Sequence, residues 1–517
     1  VKVLFVWPNK DDPFFRPISI SLLSALLKRA GHETACFDTS FVDFGSASTS
    51  GSQTEAGIFK PVDWSSYDLQ KKKVDVNKVF TEKLQSFQPD AVAFTVLSDV
   101  VEIAKMLSEA VKRWNNKTPV IWGGKGAAVE VERILSFNSV DFVCIGEGII
   151  AFPQFINALE KNESPHKIKN ICYRSNGSIV KNDLCPLFDD FDGLPYLDWS
   201  IFDKRLFFKP YEGRVYRGGD HMIAWGCPNR CTYCINNFYH QMYGGFRLQR
   251  YSPKRIIAEI KELTKTYNIE FYKFHDEDFL LKPKEYFEEL ADLYANEVNV
   301  PFVCMANPKS VTVERVELLK KMGCVSVSLG IETGDMRLRK NMLKRMDSRE
   351  DIIRAFKLLK GAAIRANAFN MLAIPFETRQ TYMRTILLNR EADVQNPQVG
   401  FFFPFKETQL REIAIKNGFY DPGDEKIFNP DRPALHFKNL SEEELIMMGK
   451  MFVLYAKLPK RFWPFIRRSE KTDAVGRALE KKLHEIHSKC VLQHDGWFND
   501  NGQTATYISE LRRISKG

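Results

Sequence analysis

Apolar positions along the chain fall into two series in which short strand-like runs alternate with helix-like ones. In the first series residues 1–7 read as a buried strand. Residues 18–30 follow as a helix, with Leu22, Leu23, Leu26 and Leu27 on one face. Residues 33–37 make a second strand, and 45–57, rich in Gly, Ser and Thr, reads as a mobile loop. The alternation resumes with strands at 91–97, 119–122 and 142–145 and a helix over 103–114. Five apolar strands joined by helices predict a doubly wound parallel sheet over residues 1–160, with ligands held at the strands' carboxyl ends. Those ends carry Asn9, Ser98 and Asp99, Gly123-Gly124-Lys125, and Gly146-Glu147-Gly148. Glycines at such turns let backbone approach a ligand closely. No G-x-G-x-x-G follows the first strand, so a dinucleotide is not favoured.

The second series runs from His221 to about residue 420. Its strand-like runs end near Phe274, Ala306, Ile331, Ile374 and Pro404, separated by helix-like segments such as 253–267 and 313–322. The apolar run 222–225 supplies one more strand, which makes six βα units. Residues 161–220 read as a connector. Residues 421–517 read as a helical, polar segment that sets substrate identity, and Ser441 with Glu444 forms a capping box there. Within it, 462–468 mixes aromatic and basic residues. A helix-turn packed on the second series is the first reading, and contact with a lipid headgroup or extended substrate the alternative. His484 and His487 share a helical face and read as surface residues.

At 517 residues the chain is too long for one ordinary core, and two or three domains are expected. Its 44% hydrophobic and 27% charged residues are those of a globular protein. No apolar run approaches the roughly 18 residues a spanning helix needs, and the N-terminal run is too short and wrongly flanked for a signal peptide. The formal charge of +9 permits an anionic substrate or membrane surface, but no Lys/Arg block marks a nucleic-acid footprint. Cys36, Cys144, Cys172, Cys185, Cys304, Cys324 and Cys490 are scattered without paired spacing, which fits a reducing cytoplasm.

The remaining three cysteines carry the chemistry. Gly226-Cys227-Pro228-Asn229-Arg230-Cys231-Thr232-Tyr233-Cys234 sets them at C-x-x-x-C-x-x-C spacing. Thiolates are soft ligands suited to iron–sulfur clusters and zinc, and so short a loop can aim all three at one centre. Zinc would take a fourth Cys or His, and His221 and His240, the nearest candidates, lack the usual spacing. Three buried cysteines, or half a disulfide framework, would not call for this spacing. The stretch closely resembles the radical S-adenosylmethionine (SAM) superfamily, in which three cysteines hold a [4Fe-4S] cluster and the open iron chelates SAM.

That resemblance extends over residues 1–420 to the cobalamin-binding radical SAM enzymes. It implies an open (β/α)6 barrel with Cys227, Cys231 and Cys234 on the cluster and Tyr233 beside the adenine. Asp276 and Glu277, in the acidic run 276–278, would hold the SAM amino group, though the run also reads as solvated loop. Gly330-Ile331-Glu332-Thr333-Gly334 resembles the family's G-I-E-S-G segment and puts Glu332 on the ribose hydroxyls. Ile374-Pro375-Phe376-Glu377-Thr378 resembles its G-x-P-x-E-T segment, with Ala373 for the glycine, and Glu377 and Thr378 read first as helix-capping residues. In the N-terminal region Asn9, Ser98, Asp99, Gly123, Gly124, Lys125 and Gly146–Gly148 would surround cobalamin. The D-x-H-x-x-G motif is absent, which implies base-off binding without a protein histidine, and Lys125 stands where members often have Pro-His. The implied reaction is C-methylation of an unactivated carbon through a 5′-deoxyadenosyl radical and methylcobalamin, on a small-molecule, lipid or peptide substrate. A flavodoxin- or ferredoxin-like electron donor and a monomer are expected. Ring formation, as in the porphyrin-ester cyclases of the same subgroup, is the alternative. Methylthiolation lacks its extra cysteines, and a non-enzymatic cobalamin sensor would have no use for the three-cysteine loop.

Overall fold

The computed structural model describes residues 1–45, 49–423 and 428–516. The N-terminal region is a doubly wound sheet as the pattern predicts. Strands β1 (Lys2–Trp7), β2 (Glu33–Asp38), β3 (Ala91–Thr95), β4 (Val120–Gly123) and β5 (Phe142–Cys144) pair in parallel in the order 2-1-3-4-5. Near-continuous apolar runs form them because both faces are covered. Val3, Phe5 and Ala93 pack on one side, and Leu4, Val6 and Phe94 on the other.

The stretch expected as a connector builds structure at both its ends. Strands β6 (Ile171–Ser175) and β7 (Ser178–Lys181) form a hairpin that extends the first sheet antiparallel to β5. Between that hairpin and the next strands, Leu194, Leu197 and Trp199 are buried in the second core. Strands β8 (Phe208–Tyr211) and β9 (Arg214–His221) then open the second sheet. The first barrel strand is therefore β9, upstream of 222–225. Its Arg, Gly, Asp and His residues hide it from a search for apolar runs. Ala224–Trp225 is instead a short strand, β10, that pairs with β11 (Gln249–Arg250) outside the barrel.

Strands β12 (Phe271–Phe274), β13 (Phe302–Ala306), β14 (Cys324–Glu332), β15 (Arg365–Leu372) and β16 (Asn396–Phe401) complete six parallel strands in the order β9-β12-β13-β14-β15-β16, with helices between most of them. The ends fall where the sequence placed them, within a few residues. Helices such as Pro253–Tyr267, capped by Ser252, bury Ile256, Ile257, Ile260 and Leu263 against the sheet. This is an open (β/α)6 barrel, whose chemistry belongs at the strands' C-terminal ends.

Two expectations are corrected. Within the segment read as a mobile loop, Thr49–Glu55 is a helix, held by Asp11 on the Thr49 amide (2.8 Å) and Asp12 on the Ser50 amide (2.8 Å). Residues 46–48 of that segment lie outside the described residues. His487 is buried, not at the surface, and His484 is half-buried. What covers them is chain from the N-terminal region: the Gly57 backbone leaves room for His487 Nδ1 only 3.1 Å from where a Cβ would stand. Ile58 sits in one core with Leu445, Met448, Phe462 and Leu483 of the C-terminal helices. Those helices, Glu442–Lys457, Trp463–Ser469, Ala474–Cys490 and Thr504–Ser515, pack on the last barrel strands. The Ser441–Glu444 capping box forms, and Phe462 is fully buried, so 462–468 is a packed helix-turn.

Candidate active site

The cysteine loop leaves β10 and is pinned from several sides. Gly226 has φ +102°, and a Cβ there would meet the Arg247 carbonyl at 2.5 Å, so only glycine fits. The Gly226 amide donates to Glu277 Oε2 (3.2 Å), the Thr232 amide to the Leu343 carbonyl (3.1 Å), and Asn237 Nδ2 to the Cys231 carbonyl (2.7 Å). All ten cysteines are unpaired. Burial raises the thiol pKa of Cys227, Cys231 and Cys234; neighbouring thiols add to the rise at Cys227 and Cys231, and Glu277 and Glu332 add to it at Cys234. Among the described residues no three His, Cys, Asp or Glu side chains close around a point that would hold one ion. A four-iron cluster asks for a wider set, because its cysteines ligate separate irons, and three neighbouring thiols on one loop are a donor set that fits it.

Beside the loop lies a buried polar network. Tyr233 Oη donates to Glu332 Oε1 (3.1 Å) and accepts from Arg345 Nη1 (3.1 Å). Arg345 also reaches the Gly330 carbonyl (3.0 Å) and Asp347 (3.3 Å). Glu332 ends β14 at a register irregularity and has φ +59°, in the left-handed region that other turn residues of this chain also adopt. Burial raises its pKa, opposed by Arg345 and Arg339. Its Oε2 has no hydrogen-bond partner among the described residues, so the carboxylate keeps acceptor capacity.

The acidic run after β12 divides in use. Asp276 accepts from the Ile223 and Ala224 amides (3.0 Å each) and from Lys282 Nζ (2.8 Å), which braces the strand before the cluster loop. Asp278 accepts from the Leu280 amide (3.1 Å) and Ser310. Glu277 alone turns into a cavity. Glu377 accepts from the Ala373 amide in full burial, which lifts its pKa to about 8, and Thr378 caps the helix Arg379–Glu391. Thr378 thus caps the helix as expected, whereas Glu377 ties down the preceding turn and caps nothing.

The cavity holds about 530 Å³ and is walled from both regions. The N-terminal sheet contributes Gly123, Gly124, Lys125, Gly146, Glu147 and Gly148, with Phe5, Trp7 and Phe152 as apolar wall, and the barrel contributes Trp225, Tyr239, His275 and Glu277. Two of these glycines, Gly124 and Gly146, serve the protein's own packing. A Cβ on Gly124 would meet the Val96 carbonyl at 2.8 Å, and one on Gly146 the Tyr243 hydroxyl at 2.1 Å. Tyr243 Oη accepts from the Glu147 amide (2.9 Å), while Glu147 Oε2 accepts from the Phe188 amide (2.9 Å). This folds the turn after β5 against the helix Asn236–Met242 that follows the cluster loop. The large apolar cradle at the carboxyl ends of a doubly wound sheet suits a flat, mostly apolar macrocycle. Asn9, Ser98 and Asp99 do not line it. Asn9 is occupied by Thr39 (2.7 Å) and Ser40 (2.8 Å), and Asp99 faces Lys10 at 4.0 Å.

One group of residues escaped the sequence reading. Asp220 of β9 accepts from Lys209 Nζ (2.7 Å), His275 (2.9 Å) and the Arg16 amide (3.2 Å). The Arg16 guanidinium stacks on Phe207 and Trp199 and donates to the Leu206 (2.8 Å) and Gly218 (2.7 Å) carbonyls. Burial pulls the Lys209 pKa down to about 7, against the pull of Asp220. These residues clamp the N-terminal region onto the barrel. A second clasp joins Lys406 to Glu130 (2.9 Å). Scattered over the chain, they leave no motif.

A cluster loop at the mouth of an open barrel, facing the strand ends of a doubly wound domain across one cavity, defines a two-cofactor radical enzyme. Residues 223–388 match the Radical SAM superfamily, and residues 13–156 match the B12 binding domain. The chain therefore belongs with the cobalamin-binding radical SAM enzymes, whose cofactors are a [4Fe-4S] cluster, SAM and cobalamin. It is 23% identical over 379 residues to an uncharacterized methyltransferase, PH0819, of Pyrococcus horikoshii, covering 73% of this chain and 81% of that one. It is also 23% identical over 479 residues to the anaerobic magnesium-protoporphyrin IX monomethyl ester cyclase of Rubrivivax gelatinosus, covering 88% and 79%. Its fold matches the cobalamin-dependent SAM radical enzyme OxsB, solved with aqua-cobalamin and SAM bound, at TM-score 0.66 and 13% identity, over 99% of this chain and 75% of that one. No helix among the described residues is long and apolar enough to cross a membrane.

Proposed function

We propose that this protein is a cobalamin-dependent radical SAM methyltransferase acting on an unactivated carbon. The observation that carries this reading is the cavity at the strands' C-terminal ends, beside the cluster loop and walled by both domains, which gives a substrate one place to meet both cofactors. The larger cavity of about 740 Å³ between the same regions opens at the opposite ends, where β15 and β16 begin. When bound, the cluster and SAM supply a 5′-deoxyadenosyl radical, and cobalamin supplies the methyl group.

The protein's own part is to hold, orient and keep dry. Cys227, Cys231 and Cys234 would hold the cluster. Glu332 would accept from SAM's ribose hydroxyls through its free oxygen, with Tyr233 and Arg345 fixing its position. Glu277 is the acidic group of its run left to meet the SAM amino group, because Asp276 braces the loop. The turns at Gly123–Gly124 and Gly146–Gly148 would face the corrin, and the apolar walls would keep bulk water out of the site.

Anaerobic reconstitution with iron, sulfide and hydroxocobalamin should give about four irons and one cobalt per chain. Cys231→Ala should lose the cluster and all SAM cleavage while keeping cobalamin; deoxyadenosine formation by that variant would refute the cluster assignment. With substrate, methyl transfer requires S-adenosylhomocysteine as a product. Its absence alongside deoxyadenosine would favour the cyclase reading, which the relative in Rubrivivax gelatinosus keeps in play.

A further inference from the structure

Four side chains that can carry charge line the interdomain cavity: Lys125, Glu147, Glu277 and His275. Three are in use. Glu147 accepts from the Phe188 amide, Glu277 from the Gly226 amide, and His275 bonds Asp220. The fourth, Lys125, opens the short helix after β4 and is exposed to the cavity. Among the described residues its ammonium has neither a hydrogen bond nor an ion pair. It nevertheless stands near the barrel's chemistry. It shares the cavity wall with Trp225, Tyr239 and Glu277 of the barrel. The cation therefore lines the space between the B12-binding domain and the barrel. The rest of the wall there is Phe15, Leu22, Phe152, Trp225 and Tyr239. Exposed to the cavity and beyond ion-pair distance of Glu277, the ammonium is free to meet an anion that enters there.

We propose that Lys125 anchors the substrate by an anionic group, a carboxylate or a phosphate, and so restricts this enzyme to acidic substrates with an apolar body. The proposal rests on the two-domain cavity being the reaction site. Lysine binds such groups as a point charge from its three rotatable donors, so either oxyanion satisfies it. The phosphodiester in the tail of cobalamin has the same chemistry, and the experiment separates the two sources.

Full-length protein loaded with cluster, hydroxocobalamin and SAM is titrated with inorganic phosphate and, separately, acetate, by calorimetry. Wild type is compared with Lys125→Met and Lys125→Arg. Binding of one or both probes is expected, weakened about tenfold or more by Lys125→Met and largely kept by Lys125→Arg. Iron and cobalt contents should be equal in all three, and the better-bound probe names the substrate's acid group. Equal affinity in Lys125→Met, or no binding to wild type, would overturn the proposal. Loss of cobalt in Lys125→Met would also overturn it, by assigning the lysine to the cobalamin tail. A wild type that takes up no cobalt would instead break the two-cofactor reading, a separate failure.

Discussion

At the domain joint Asp220 is surrounded: Lys209, His275 and the Arg16 amide all donate to it, and the guanidinium above is packed between two rings. At the end of β14 Glu332 is also buried beside an arginine, though less completely, and one of its oxygens is left over. Both are carboxylates held among cations in an apolar surround. A closed network of this kind stabilises a docking geometry. An open one keeps an unsatisfied valence, which costs stability and is retained where a ligand will complete it.

The contrast can be broken most forcefully at Asp220. Asp220→Ala leaves Lys209 and Arg16 buried without their counter-charge and should cost about 3–5 kcal/mol, read by chemical denaturation. A loss below about 1 kcal/mol would mean that the joint is not closed.

The buried imidazoles offer a second lever, being polar groups with neither a network nor a ligand. Burial depresses the pKa of His487 to about 3 and of His484 to about 4. In the unfolded chain both titrate near about 6.5. Unfolding therefore takes up protons below that pH, and stability, full above it, should fall as pH drops from about 6.5 toward 3. For His487 the loss is on the order of a few kcal/mol. His487→Leu should flatten this acid limb; an unchanged slope would refute the assignment.

Glu332→Gln sharpens the comparison from the other side. The amide keeps the shape and one acceptor but loses the charge, so folding should change little while SAM affinity falls about tenfold. A large drop in stability with unchanged SAM binding would place Glu332 with Asp220. Smallest of all, Lys406→Ala breaks a partly exposed clasp and should cost about 0.2–1 kcal/mol, more at low salt than at high.

The same difference explains what could be read in advance. Cys227, Cys231 and Cys234 lie within one short loop, so their chemistry is local and spacing reveals it. The strand ends and the capping box at Ser441 are local too. Asp220 becomes significant only when Arg16, Lys209 and His275 fold around it, and none of those pairings has a spacing rule. Asn9, Ser98 and Asp99 show the converse. Their positions at strand ends were correct, but neighbours such as Thr39, Ser40 and Lys10 occupy Asn9 and Asp99, and all three stand off the cavity wall. Strand β9 carries no apolar alternation because its glycines and polar residues, Asp220 above all, serve the joint and its surroundings.

The run from Thr49 to Lys60 belongs by sequence to the first region, yet Gln53 Nε2 donates to the Val399 carbonyl of β16, Ile58 fills the core of the last helices, and Lys60 pairs with Glu212 and Asp495. The three parts are thus stitched together by a thread from the first. Chimaeras that exchange one cofactor module for a relative's would carry away that thread or leave its socket empty. The natural unit of inheritance and of engineering is the whole chain, and grafts should succeed only where residues 49–60 travel with the C-terminal helices they fill.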